Sequence, residues 1–175
     1  IFFTGILSDT NLISSPIKRI LIQIFIICFY LYIMPTYIYS IRWDFFDYYL
    51  QNSYVGYFFT LFCLAILING SNFMDGLNIL VVGYFLTITY IILHLSNNFN
   101  LELDFYLVKI ILATLLVILV FNFFGLLFLG DSGAYLMGSL IALNSIITNN
   151  LNPNYSSFFF CILLFYLFFE VFFSF

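Results

Sequence analysis

Charge is what this chain has least of. Among its 175 residues are 4 Lys or Arg, 8 Asp or Glu and 1 His, a charged fraction of 7%, against about a quarter in ordinary soluble domains. So few charges exclude a water-facing globular surface. The missing basic tract excludes nucleic acid as a partner. The cysteines Cys28, Cys63 and Cys161 stand far apart, each inside an apolar run. That spacing excludes a cysteine metal site and leaves them as small packing or lipid-facing residues. The apolar runs show no alternation of apolar and polar residues, which excludes the strands of a membrane β-barrel. No internal repeat is visible, so a transporter built from inverted repeats has no support. No cleavable signal peptide is visible either.

What the chain has is apolar length. Hydrophobic residues make up 65% of it and the mean hydropathy is +1.15. The expectation is an all-α polytopic transmembrane helix bundle, since each complete span needs about 20 apolar residues. Five complete spans are expected: Ile20 to Tyr39, Tyr54 to Ile68, Ile79 to Leu95, Phe105 to Phe124 and Tyr135 to Ile147. A partial span, Ile1 to Leu7, precedes them, and a nearly complete one, Phe158 to Phe175, follows. The chain opens and closes inside apolar runs, so residues 1–175 read as one transmembrane catalytic domain, incomplete at both ends. Ser15 and Pro16 carry a helix-start signal, and Pro35 should kink or end the first complete span. Trp43, Tyr48 and Tyr49 suit the bilayer interface.

Three polar clusters interrupt the apolar runs. The most concentrated is Asn69-Gly70-Ser71-Asn72-Phe73-Met74-Asp75-Gly76-Leu77-Asn78, expected as a loop between two spans. The others are the loop from Ser8 to Arg19 and the segment Gly125 to Gly133, which holds Gly130-Asp131-Ser132-Gly133. A buried amide or carboxylate without partners costs about 2–7 kcal/mol, so clusters of this kind point to use. Each pair of clusters is separated by two spans, which places all three on one membrane face. Lys18 and Arg19 lie on that face, and the positive-inside rule makes it cytoplasmic.

Asp9, Asp75 and Asp131, with Asn69, Asn72 and Asn78, form an oxygen-rich donor set suited to a hard cation. Mg²⁺ takes one or two protein carboxylates and completes its shell with water and phosphate. Such a set on a membrane face suits phosphoryl transfer between a soluble nucleotide and a lipid phosphate, where charge neutralisation is the main catalytic task. Gly130 and Ser132 flank Asp131 and are small enough to let a pyrophosphate approach.

These motifs resemble those of the polyprenyl-phosphate N-acetylhexosamine-1-phosphate transferases, membrane glycosyltransferase family 4. The family pattern N-x-x-N-x-x-D-G-L-D is similar to Asn69 to Asn78, and F-x-G-D-x-G-S/A to Phe128 to Ala134. The pattern G-x-x-D-D followed by S-P-x-x-R is similar to Gly5 to Asp9 and then Ser15, Pro16 and Arg19. The resemblance implies a reaction that joins a UDP-N-acetylhexosamine to undecaprenyl phosphate, releases UMP and starts a lipid-linked cell-envelope glycan. It implies Mg²⁺, with Mn²⁺ as a substitute. It implies Asp131 and Asp75 as metal ligands, Asp75 also near the nucleotide, and Asp9 as a catalytic residue near the lipid phosphate or serving as base. Asn69, Asn72, Asn78, Ser8, Gly130 and Ser132 are the implied substrate-binding residues. The implied setting is a bacterial inner membrane, with the active face cytoplasmic, the lipid bilayer as surroundings and a homodimer as one assembly.

The chain departs from the pattern at three places. Ser8 stands where the family has the first Asp of a pair, Asn78 where it has a further Asp, and Leu126 in the region where it has a Lys. The family's His-rich loop is expected after the sixth span, so this chain alone is expected to be inactive. An alternative follows from the departures: a non-catalytic membrane paralogue that binds lipid phosphate or a partner enzyme. Outside the motifs, His94 reads as interfacial. Glu170 is a functional candidate, being an ionisable residue near a span end.

Overall fold

The computed structural model describes residues 1–75, 79–97, 102–152 and 155–174, with side chains for all of these except 96–97 and 102–105. The described residues form helices and connections, with no strand among them. In chain order the helices are α1 (Phe2–Asp9), α2 (Pro16–Ile33), α3 (Asp44–Leu50), α4 (Ser53–Met74), α5 (Leu80–Asn97), α6 (Glu102–Phe123), α7 (Gly130–Leu151), α8 (Ser157–Leu163) and α9 (Phe165–Ser174). The expected all-α bundle is what the structure shows.

Among the described residues, three helices are long and apolar enough to cross a membrane: Pro16–Ile33, Ser53–Met74 and Tyr106–Phe123. The pair α8 and α9, bent by 55°, makes a fourth if it is one broken span. Helix α5 is apolar but shorter, over Leu80–Leu95. Helix α2 starts at Pro16, with Ser15 as its N-cap residue, and ends before Pro35. Proline fits the first turn, where its missing N–H has no partner to lose.

Helix α7 is the axis of the fold. It packs against α1, α4 and α5, while α4 also holds α2 and α9. Its sequence explains the position. Small and polar residues, among them Gly138, Ser139, Ala142, Ser145, Thr148 and Asn149, would be costly against lipid, and all are buried here. Small residues also let helix backbones approach closely, the usual means of helix association in a bilayer. The most apolar helices lie outside, and α6 turns Ile110, Val117, Val120 and Phe121 outward.

Both ends of α7 are held by charges from elsewhere. At its C-terminal end, the Arg42 guanidinium donates to the carbonyl oxygens of Asn149 at 2.6 Å and Asn152 at 3.0 Å, and to the side chains of Asn149 and Ser157. A cation there complements the helix dipole and satisfies terminal carbonyls. At the N-terminal end the partner is Asp9. The two ends are roughly 30 Å apart at 1.5 Å per residue, a bilayer thickness. Arg42 and Asp9 therefore sit at opposite ends of one membrane-length helix.

The polar cluster expected as a loop is largely helix. Helix α4 continues through Asn69, Gly70, Ser71 and Asn72 to Met74. Two of these side chains are satisfied within the helix: Asn69 Nδ2 donates to the Ala65 carbonyl at 2.8 Å and Ser71 Oγ to that of Leu67 at 2.7 Å. Asn69 also reaches Gln23 on α2, and Asn72 reaches Tyr135 on α7. The span extends past Ile68 because its polar residues face other helices, and lipid never has to receive them.

Candidate functional site

The site is built where the ends of α1, α4 and α2's first turns meet the start of α7. Helix α7 begins after the irregular segment 127–129, and Gly130 opens it at φ +66°, a backbone conformation glycine adopts freely. Asp131 therefore sits in the first turn of a helix. The N-cap residue, Leu129, has no side chain able to cap, and a helix start leaves backbone N–H groups without intrahelical partners.

Asp9 supplies the missing cap from α1. Its Oδ1 accepts from the Asp131 amide at 3.0 Å and its Oδ2 from the Ser132 amide at 3.1 Å. The geometry needs glycine twice. A Cβ on Gly5 would collide with the Ser132 backbone, and one on Gly130 would stand 3.3 Å from Asp9 Oδ2. The space at Gly130, expected to admit a pyrophosphate, is the space the Asp9 carboxylate uses. Of Ser132, it is the backbone amide that takes part.

Asp131 carries the second link. Ser8 Oγ donates to Asp131 Oδ2, and Arg19 Nη1 donates to the same oxygen at 2.9 Å and to Ser8 Oγ at 2.6 Å. Arg19 and Asp131 are 20% and 29% exposed at the side chain, so the pair is partly screened by solvent. Both contacts to Asp131 fall on Oδ2. Asp75 caps the C-terminal end of α4. Its pKa is pushed up to about 6, first by burial and then by the negative charges of Asp131 and Asp9, against a downward pull from the Gly130 amide. The structure therefore brings Ser8, Asp9, Asp75, Gly130, Asp131 and Ser132 together. Asn78 and its neighbours Gly76 and Leu77 lie outside the described residues.

Asn72 and Asn69 stand progressively deeper on α4, spaced by three residues from Asp75. Asn72 Nδ2 donates to the Tyr135 hydroxyl at 3.2 Å, and Asn69 Nδ2 to Gln23 Oε1 at 2.9 Å. Gln23 and Tyr135 are 0% and 2% exposed. The sequence reading missed both, along with Asn122. Asn122 accepts from the Ile79 amide at 2.6 Å and donates to the Leu127 carbonyl at 2.9 Å. It thereby ties the start of α5 to the segment that leads into α7. A Gln inside an apolar span was the one available signal for Gln23. Asn122 carried the same signal, an amide inside the span expected from Phe105 to Phe124, and Tyr135 carried none, being an aromatic among many. Leu126 is 73% exposed. His94 is exposed near the C-terminal end of α5, and Glu170 lies in α9 with Tyr166 as its neighbour.

The donor set suits a hard cation. Mg²⁺ needs only one or two protein carboxylates, and Asp75 and Asp131 are two whose charges repel each other. Among the described residues, no three His, Cys, Asp or Glu side chains are grouped as a metal cage, so the cation's remaining ligands would be water and phosphate.

Comparison with known proteins agrees with the motifs. The family model described as Glycosyl transferase family 4 matches residues 1–149. No curated protein and no solved structure gave a match. With that family model covering most of the chain and the motif carboxylates meeting at one end of α7, the chain belongs to glycosyl transferase family 4, the membrane enzymes that transfer a phospho-sugar to a lipid carrier.

Proposed function

We propose that this protein transfers an N-acetylhexosamine-1-phosphate from a UDP-sugar to undecaprenyl phosphate at the cytoplasmic face of a bacterial inner membrane. UMP leaves, and the lipid-linked product starts a cell-envelope glycan. The observation that supports this reading is the meeting of three carboxylates, Asp9, Asp75 and Asp131, at a membrane-helix end beside the Arg19 guanidinium. Both substrates are anions, and this is a place built to manage negative charge.

Each residue has a task in this reading. Asp75 and Asp131 hold Mg²⁺ or Mn²⁺, which when bound neutralises diphosphate charge and favours departure of UMP. Arg19 is the one cation bonded to the cluster among the described residues, and it places a guanidinium within reach of a phosphate, a pairing it makes well. Asp9 caps α7 and so fixes where Asp131 stands. The lipid phosphate, whose second pKa is about 6, arrives already anionic and attacks the β-phosphorus without needing Asp9 as a base. Asn72 and Asn69 line the α4 side of the site.

The test uses the full-length protein in detergent with undecaprenyl phosphate, a labelled UDP-N-acetylhexosamine and Mg²⁺. Label should move to the lipid, and chelation with EDTA should stop it. Asp131→Asn should keep the fold and abolish exchange of UMP with UDP-sugar. Near-normal exchange in that variant refutes the assignment. Lipid-phosphate binding by the wild type without any transfer would support the non-catalytic paralogue instead.

A further inference from the structure

Beneath the site, α2, α4 and α7 are joined by a polar ladder that no motif predicts. Its upper rung is Arg19 with Asp131. One helical turn deeper, four residues along each helix, stand Gln23 on α2 and Tyr135 on α7, on the same faces because residues four apart share a face. Helix α4 closes both sides: Asn72 bonds the Tyr135 hydroxyl and Asn69 bonds Gln23. Gln23 and Arg19 both face that same hydroxyl.

Stability does not account for this lower rung. Gln23 and Tyr135 are fully buried polar groups, and Asn72 Oδ1 is buried with no hydrogen-bond partner among the described residues. A half-satisfied polar network in a low-dielectric interior is worse for stability than an apolar one. Such a cluster placed one turn below a reaction centre points to a constraint on geometry.

We propose that Tyr135 and Gln23 are positioning residues for phospho-sugar transfer: between them they fix α2 and α4 against α7, and so hold Arg19 and Asn72 at the Asp131 end. Neither residue reaches the reacting atoms. They act through Arg19, whose guanidinium has two anchors: Asp131 and Ser8, both bonded by Nη1, and the Tyr135 hydroxyl that faces it from below. If the lower rung is lost, Arg19 keeps its ion pair but gains freedom to swing, and the site loses its alignment to the transferring phosphoryl group. Misplacement of this kind lowers turnover more than it weakens binding.

The inference rests on the transfer reaction proposed above, so its test has one readout with activity and one without. In the full-length protein, Tyr135→Phe removes one oxygen and keeps the ring. Its kcat should fall about 10-fold, with KM for both substrates within about 2-fold, the pattern of an interaction felt in the transition state. The thermal midpoint should fall by a few degrees at most, the Asn72 amide having lost its acceptor. Adding Gln23→Met should cost less than about 2-fold more, since residues of one network do not act additively. A Tyr135→Phe enzyme with kcat within about 2-fold of wild type overturns the proposal, as do losses that multiply in the double variant. The second readout is modification of Arg19 by phenylglyoxal, followed by peptide mass spectrometry with Arg42 as internal reference. Tyr135→Phe should speed Arg19 modification at least about 5-fold, the guanidinium having lost part of its restraint, and leave Arg42 unchanged. An unchanged Arg19 rate overturns the positioning role even if the wild type transfers no sugar phosphate, an outcome that would separately refute the proposed reaction.

Discussion

Asp9 offers the sharpest test of how the site works, because two roles for it predict different numbers. In the structure its carboxylate is a cap, each oxygen accepting one amide of the first turn of α7. Replacing a side-chain cap by Ala costs typically about 1 kcal/mol, and at most about 2. A negative charge at a helix N-terminus adds about 0.3–1 kcal/mol. Asp9 is exposed, so solvent screening keeps the charge contribution near the lower end of its range. Asn caps as well as Asp does, but its amide nitrogen cannot accept the second N–H. Asp9→Asn should therefore cost about 1–2 kcal/mol, the charge and one bond. Expressed fully in kcat/KM, that is a loss of about 5- to 30-fold, with a fall in thermal midpoint of a few degrees. Asp9→Ala should cost more than Asp9→Asn on both measures, because both bonds go. Ser8→Ala should cost least in kcat/KM, about 1 kcal/mol, since the Arg19–Asp131 contact survives it. A general base gives a different result: Asn and Ala equally damaging, a loss of about 10²-fold or more, and the midpoint unmoved. The assay is transfer of labelled sugar phosphate to undecaprenyl phosphate in detergent, with unfolding followed by tryptophan fluorescence. That second pattern would falsify the capping role and restore Asp9 as a base.

Two further predictions concern the ends of the central helices. Asp75 has its pKa raised to about 6 by burial and by the charges of Asp131 and Asp9, so in EDTA the folded protein binds the extra proton more tightly than the unfolded chain. Its contribution to stability is fully present below about pH 4 and is lost as pH rises through about 6; Asp75→Asn should flatten that part of the midpoint-against-pH curve, and an unchanged slope refutes the coupling. Arg42→Met should remove the four hydrogen bonds that close the C-terminal end of α7, lowering stability by about 2–4 kcal/mol, while KM for both substrates stays put because Arg42 sits at the other end of the helix. A selective rise in KM with an unchanged midpoint would place Arg42 at the site.

The sequence by itself determined the bilayer setting, the helical class and the convergence of the polar motifs at one end of the bundle. Long apolar runs with 7% charge have one stable solution in water and lipid, and spans of alternating direction bring loops two spans apart to one face. That is why Ser8, Asp9, Asp75 and Asp131 were legible as one group before any coordinates. What each of them does was decided by tertiary structure, because it depends on partners far away in the chain. Asp9 and the amides it caps are 122 and 123 positions apart, and no local pattern reveals that Leu129 leaves a helix start uncapped. The Asn69–Asn72 segment looked like a loop because hydropathy registers polarity and is blind to what a side chain will face. In the bundle those residues meet Gln23 and Tyr135, so the helix continues. The same blindness hid the central place of α7. It was read as a short span, Tyr135 to Ile147, yet small and polar residues are what a central helix needs, where neighbouring helices take the place of lipid.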